Sequence, residues 1–193
     1  MRKITVLSFA ALFALTGAAF AASSGGGSST SSGTSSGGGN SSGSASTLKC
    51  KSGEVVKKVS TNGVTKQKCV KATSGILPDE ELYQQARLLA KQGQYDWALQ
   101  VLAVIQNQED PRVLTYIGYS NRKAGRVELG ISYYTKALAL NPNFVPAREY
   151  LGEGYLAAGK PELAQAQLAE IAARCGVACE EYKDLSSAIA GTH

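Results

Sequence analysis

The sequence predicts a mainly α-helical protein: three stacked helix pairs and a C-terminal capping helix, preceded by a small disulfide-closed β-hairpin and a disordered Ser/Gly linker. Three observations predict it. One helical-hairpin pattern recurs in copies starting at Asp79, Pro111 and Val145: Ala86, Gly118 and Gly152 share one register, Gly93, Gly125 and Gly159 a second, and Ala98, Gly130 and Ala164 a third. Gly118 to Gly152 is 34 residues and Ala86 to Gly118 is 32, and repetition at this period marks a stacked helix-pair array. Ahead of the repeats, Asn62-Gly63 sits among Val55, Val56, Val59, Val64 and Val70, a two-residue turn flanked by strand formers. Ahead of that, residues 22–47 are almost wholly Ser, Gly, Thr and Ala, without charge.

Taken in chain order, residues 1–21 read as a secretory signal peptide. Met1-Arg2-Lys3 is followed by an apolar run from Ile4 to Phe20 and a small-x-small triplet, Ala19-Phe20-Ala21, so cleavage is expected after Ala21. The alternative is an uncleaved anchor, since the run is about as long as the shortest membrane spans. No cysteine precedes Cys50, which leaves no lipid-attachment residue next to the cleavage point. The expected location is secreted or periplasmic. Residues 22–47 hold too little apolar surface to offset chain entropy and are expected to be disordered, a tether spanning roughly 28 Å as a flexible coil.

Export gives the four cysteines, Cys50, Cys69, Cys175 and Cys179, a structural meaning, because an oxidising compartment favours disulfides. Four cysteines permit three pairings, and the two local ones are expected. Cys50 with Cys69 closes the basic hairpin module at 48–72, worth on the order of 3 kcal/mol by loop-closure reasoning. Pairing about Asn62-Gly63 sets Thr61 opposite Val64 and Val56 opposite Cys69. An isolated hairpin is marginal in water, which gives the bridge its purpose. Cys175 with Cys179 clips a helix end. A close thiol pair also admits redox or soft-metal chemistry, but no third ligand is near in sequence and Glu180 and Glu181 oppose thiolate formation.

The overall charge of +5 is unevenly spread. Residues 49–71 hold seven lysines against the single Glu54, a net of +6, while the chain from Ala72 onward holds 11 basic and 14 acidic residues, a net of −3. Lys57, Lys58, Lys66 and Lys68 form a basic patch that suits anionic envelope polymers or lipid. With no aromatic residue between Leu48 and Ala72 to stack bases, nucleic acid is not an expected partner.

From Pro78 helix signals dominate. Pro78, Pro111 and Pro161 suit first-turn positions, Asp79, Glu80 and Glu81 complement a helix N-terminus, and Gly93, Gly125 and Gly159 stop the first helix of each pair. Helices are expected near 79–92, 95–107, 111–124, 127–140, 145–158 and 161–174. The repeats span 78–174, in units 79–110, 111–144 and 145–178, and a capping helix follows at 179–190, with Tyr182, Leu185 and Ile189 on one side. Gly118 and Gly152 are expected where the two helices of a pair come too close for a larger side chain, with Leu102, Tyr134 and Leu168 filling the gaps beside them.

These repeats resemble the tetratricopeptide repeat family, whose pattern runs large apolar, Leu, Gly or Ala, Tyr, then Ala, Phe or Tyr, Ala and Pro. The second copy matches best, with Leu114, Ile117, Gly118, Gly130, Tyr134, Ala137 and Pro142. The third keeps Leu151, Gly152, Tyr155 and Ala164 but has Arg148 at the first large position; the first keeps Leu82, Ala86, Leu89 and Ala98. The resemblance implies a superhelix whose concave surface, lined by the first helix of each pair, binds extended peptides or partner helices. Carried onto this chain, the partner-binding positions include Tyr83, Arg87, Lys91, Arg112, Thr115, Tyr119, Arg122, Lys123, Glu149 and Glu153; the alternative is that Tyr83 and Tyr119 pack within the superhelix and that Arg87 and Arg122 pair with neighbouring acids such as Glu149 or Glu153. The first two repeats thus offer Tyr and basic side chains and the third two Glu, complementing a ligand with an acidic and aromatic part followed by a basic part. Family members that grip a C-terminal carboxylate use Lys and paired Asn at the places held here by Tyr83, Arg87, Thr115 and Tyr119, so that specialised function is not implied.

The sequence offers little for catalysis. Its one histidine is the terminal His193, which removes most catalytic triads, His-based metal sites and proton relays. No Cys-x-x-Cys and no phosphate-cradling glycine loop occurs, and no metal or cofactor is expected. The reading is a non-enzymatic adaptor or scaffold, an exported bacterial-type protein that binds a partner in its groove. The alternative is an envelope-attachment protein that works through the lysine hairpin.

Overall fold

The computed structural model describes residues 48–191; the expected signal peptide, the Ser/Gly linker and His193 lie outside the described residues. Strands β1 (Glu54–Thr61) and β2 (Val64–Lys71) pair antiparallel, with Thr61 opposite Val64 and Val56 opposite Cys69, as the turn dictates. Asn62 and Gly63 both take positive φ, 50° and 76°, the requirement of a two-residue turn whose twist matches its strands. The Cys50–Cys69 bridge closes the open end, with Cα atoms 5.5 Å apart.

The hairpin is docked rather than isolated. Val55 is buried in the core, and the partly buried Val70 and Ala72 pack against it. Gln85 reads the outer edge of β1 as a neighbouring strand would: its amide oxygen accepts from the Val56 N–H at 2.7 Å and its amide nitrogen donates to the Val56 carbonyl at 2.9 Å. The indole of Trp97 donates to the Glu54 carbonyl at 2.9 Å. These contacts blunt an edge that would otherwise invite intermolecular pairing.

Seven helices follow: α1 (Asp79–Lys91), α2 (Tyr95–Leu102), α3 (Pro111–Lys123), α4 (Val127–Leu140), α5 (Val145–Ala157), α6 (Pro161–Cys175) and α7 (Glu180–Ala190). The first helix of each pair ends the same way. Gly93, Gly125 and Gly159 take φ of 80°, 86° and 70°, and the residues after them donate to carbonyls five residues back, Gln94 to Leu89, Arg126 to Asn121 and Lys160 to Tyr155, at 2.8–2.9 Å. This is the left-handed cap that glycine supports at no steric cost.

Two boundaries differ from expectation. Pro78 stands at the N-cap rather than in the first turn, and α2 stops at Leu102 rather than near 107. The Asp79 carboxylate accepts from the backbone N–H groups of Gln106 and Asn107, both at 2.9 Å, pulling that segment toward the start of α1. The Gln108 amide donates to the carbonyls of Leu102, which also accepts from the Ile105 N–H, and of Ile105. Periodicity alone does not register such a side-chain competitor.

The small residues act as steric relief. A Cβ on Gly118 would lie 2.6 Å from a ring carbon of Tyr134, and one on Gly130 would lie 2.8 Å from the Gly118 carbonyl oxygen, so α3 and α4 meet glycine to glycine. Leu102 and Tyr134 are fully buried as expected; Leu168 is only half-buried, and Ile171 on the same helix is fully buried instead. Gly152 serves a different neighbour from the one expected. It receives Leu185 of α7, whose Cδ2 would stand 2.5 Å from an added Cβ. The Cys175–Cys179 bridge, with Cα atoms 6.0 Å apart, spans the turn before α7.

This packing predicts a specific non-additivity. Gly152→Ala should cost roughly 1–3 kcal/mol by overpacking and Leu185→Ala roughly 2–5 kcal/mol by cavity formation. The double variant should cost less than their sum, because removing the leucine methyls makes room for the new Cβ. Urea unfolding of the three variants tests this, and simple additivity would show that the two residues do not interlock.

Candidate functional site

The first helices α1, α3 and α5 contact one another in series, and α7 packs on α5. Residues at i, i+3 and i+4 spacing share one helix face, which brings Tyr83, Arg87 and Lys91, then Arg112, Thr115 and Tyr116, then Pro146, Glu149 and Tyr150 to one groove of about 370 Å³. Phe144 and the Glu180, Glu181 and Asp184 side chains of α7 complete its lining.

Its floor is a tyrosine cluster. Ring centroids lie 5.7 Å apart for Tyr83–Tyr116, 6.4 Å for Tyr116–Tyr150 and 5.2 Å for Tyr119–Tyr150, within the range of favourable aromatic pairs. Burial is the main cause that pushes the Tyr83 phenol up to about 12 and the Tyr150 phenol far above its ordinary value, so both remain neutral hydroxyls.

Two cations rest on that floor. Arg87 Nε donates to the Tyr116 hydroxyl and Lys91 Nζ to the Tyr150 hydroxyl, each at 3.0 Å. The Lys91 ammonium also lies over the rings of Tyr119 and Tyr150, at 4.8 and 5.2 Å. Among the described residues neither has a carboxylate within ion-pair distance. Arg112 differs: it pairs with Asp110 at 2.7 Å and Glu80 at 2.8 Å while lying over the Tyr83 ring.

The structure divides the residues that the repeat pattern singled out. Tyr83, Arg87, Lys91, Arg112, Thr115 and Glu149 line the groove, whereas Tyr119, Arg122, Lys123 and Glu153 do not. Arg122 is buried, with its guanidinium paired to Glu153 and its Nε donating to the Tyr134 hydroxyl at 3.2 Å. Tyr119 is buried within the ring cluster, and the Lys123 ammonium lies 5.9 Å over it. Thr115 turns its hydroxyl back to the Pro111 carbonyl at 2.7 Å. Sequence reasoning missed Tyr116, Tyr150, Phe144 and the acids of α7. Tyr116 and Tyr150 each follow a position the repeat pattern did mark, and that adjacency was the available signal. Nothing in the pattern signals that a capping helix also lines the groove.

Opposite the cations the lining is acidic. Glu149 is only 7% exposed, and among the described residues no ion pair reaches its carboxylate. Burial, followed by the negative charges of Glu153, Asp184 and Glu181 against the attraction of Lys91, pushes its carboxyl up to about 8. The groove therefore has a cationic end at α1 and an acidic end at α5 and α7.

The four basic-patch lysines do not act as one surface. Because strand side chains alternate, the register places Lys57, Lys66 and Lys68 on one face, with Lys57 directly opposite Lys68, and Lys58 on the other. Among the described residues, the ligand-type groups close enough to share a metal ion are Cys50–Glu54–Cys69 and Cys175–Cys179–Glu181. Each contains a disulfide and so offers no thiolate.

No protein-family model and no curated protein sequence matches the chain; solved structures do. The chain is similar to the first TPR domain of the human RPAP3 protein, at 20% identity over 59% of this chain and 94% of that one, with a TM-score of 0.51. It is similar to the Yersinia enterocolitica type III secretion chaperone SycD in complex with a peptide of the translocator YopD, at 21% identity over 62% and 93% of the two chains, TM-score 0.51. MamA matches at 19% identity over 58% and 67%, TM-score 0.50. The helical part of the chain has the tetratricopeptide repeat fold.

The raised Glu149 carboxyl predicts a pH dependence of stability. Between the ordinary value of 4.5 and about 8 the folded state holds a proton that the unfolded state has released, so stability falls as pH rises through that window. The loss should be on the order of 1 kcal/mol per pH unit at most. Glu149→Gln should flatten this slope in denaturant titrations between pH 5 and 8; an unchanged slope would show that Glu149 does not hold the proton.

Proposed function

We propose that the protein is a non-enzymatic interaction module that receives an extended segment of a partner protein in its concave groove. The observation that carries this reading is the pair Arg87 and Lys91, two cations set on an aromatic floor whose side-chain hydrogen-bond partners, among the described residues, are phenol hydroxyls. An incoming carboxylate meets oriented cationic donors there and replaces a neutral acceptor with an ionised one, which makes an ion pair of each contact. The tyrosines supply rigid contact area at low entropic cost. The SycD structure, which holds a peptide of the translocator YopD, supports peptide binding as something this fold accommodates. The two disulfides support a location in an oxidising compartment, secreted or periplasmic, and among the described residues no helix is long and apolar enough to cross a membrane.

A second reading rests on the hairpin. Lys57 and Lys68 face each other directly, a like-charge arrangement that costs stability and that an anionic polymer or lipid surface relieves.

Affinity capture from an envelope extract separates the two. With the wild-type chain, Arg87→Ala/Lys91→Ala and Lys57→Gln/Lys66→Gln/Lys68→Gln as baits, the groove reading expects a partner whose affinity falls at least tenfold in the first variant, the loss of charged hydrogen bonds, and is unchanged in the second. Retention by the groove variant together with loss in the lysine variant and stripping by salt would transfer the function to the hairpin.

A further inference from the structure

We infer that the α5/α7 end of the groove is a subsite for a cationic side chain of the bound segment, an arginine in preference to a lysine, seated on Glu149 with Glu181 and Asp184 at its rim. The inference rests on the groove-binding reading and adds the ligand's chemistry at one place in it.

The central fact is a largely buried glutamate on the groove wall that has no countercharge beside it among the described residues. Glu149 is 7% exposed and lines the groove, and among the described residues it has no ion pair. Burying a carboxylate unpaired is costly. Of the nearby cations, Arg122 is paired with Glu153 and Tyr134 and Arg112 with Asp110 and Glu80, while Lys91 donates to Tyr150, makes no ion pair with Glu149 among the described residues and serves the acidic part of the bound segment. A charge supplied from outside satisfies Glu149 without disturbing any of them.

The surroundings select the kind of cation. No three carboxylates of this lining lie close enough to share a metal ion among the described residues, which disfavours a chelated metal. Phe144, Pro146 and Tyr150 wall the subsite, giving an aliphatic stem apolar contact and a cationic head an aromatic face. Acceptors arriving from two helices suit the forked guanidinium better than the point charge of an ammonium. Helices in contact pack roughly 8–10 Å apart and α3 stands between α1 and α5, so a segment with an acidic residue on Arg87 and Lys91 reaches this end with a basic residue about five or six positions away along extended chain.

Binding is then linked to a proton. The charges facing Glu149 are Glu153 on its own helix, Glu181 and Asp184 from α7 and Lys91 from α1, with Arg112 of α3 across the groove. Its carboxyl, held up to about 8 in the free protein, must release the proton when a cation docks. Affinity for basic peptides rises with pH up to about 8 and then levels off.

The test uses a random peptide display library as probe, selected on the full 193-residue chain and on its Glu149→Gln, Glu181→Gln/Asp184→Asn and Arg87→Ala/Lys91→Ala variants. Wild type should enrich Arg over Lys, and both over neutral residues, at one position. Glu149→Gln should abolish that enrichment while keeping the acidic preference, and the rim variant should weaken recovered basic peptides several-fold. The affinity of a recovered basic peptide for wild type should increase on the order of tenfold or more from about pH 6 to about pH 8, and that gain should vanish in Glu149→Gln. Peptides without a basic position, or basic peptides bound equally by Glu149→Gln, overturn the subsite yet leave the groove reading standing if Arg87→Ala/Lys91→Ala abolishes selection. Failure of the wild type to select any peptide overturns both.

Discussion

The close approach of α3 and α4 at Gly118 and Gly130 is the constraint on which the rest of the superhelix depends. Only hydrogen atoms fit there, since a Cβ on either glycine would fall within 3.0 Å of backbone or ring atoms of the other helix. That contact lays the Tyr134 ring against α3, fully buried. Its hydroxyl then receives the Arg122 guanidinium, which reaches on to Glu153 of the following pair. A buried ion pair by itself is weak evidence of stability. Here it joins the second pair to the third through a polar link with one geometry, and the Tyr134–Tyr150 ring contact at 6.2 Å runs beside it.

The two kinds of charge near the groove follow from this. Arg122 and Glu153 are used up in the frame, and Arg112 is held on the rim by Asp110 and Glu80. What has no opposite charge beside it lies inside the groove: Arg87 and Lys91 at one end and, at the other, Glu149, whose carboxyl burial pushes up to about 8 and so keeps protonated until a cation arrives. Salt bridges within the fold and unpaired charges within the groove are complementary results of one packing pattern. Arg122 and Glu153 find each other between repeats, whereas Arg87, Lys91 and Glu149 on the concave face meet no opposite charge within ion-pair distance among the described residues. Unpaired, preoriented charges of opposite sign fix register and direction for a bound segment more than they raise its affinity.

Much of the fold was legible because it is periodic. Glycines at a fixed spacing mark both the helix ends and the close approaches, and Asn62-Gly63 set the hairpin register to the residue. What escaped were contacts between elements that no period links. Gln85 imitating a strand edge, Asp79 shortening α2 from 27 residues away, and Gly152 receiving Leu185 rather than its own pair partner all depend on which elements meet in space. The groove was half legible for the same reason. Repeat positions gave Tyr83, Arg87, Lys91, Arg112, Thr115 and Glu149; they also put Arg122 and Glu153 in the binding surface, where the alternative of pairing with a neighbouring acid is the one the structure shows for Arg122.

The C-terminal helix illustrates why a cap is more than an end. An open repeat leaves an apolar flank that some element must cover, and Leu185, fully buried against Gly152, does so. A helix placed by that contact necessarily brings its first turns to the mouth of the groove, and in α7 those turns carry Glu180, Glu181 and Asp184. Acids there complement the positive end of the helix dipole and at the same time raise the negative potential around Glu149. The Cys175–Cys179 bridge spans the turn from which α7 departs, so the element that seals the core, the charge that lines the site and the covalent clip that limits their movement are fixed together. Stability of the last repeat and the charge of the groove are therefore one structural problem, solved by one helix.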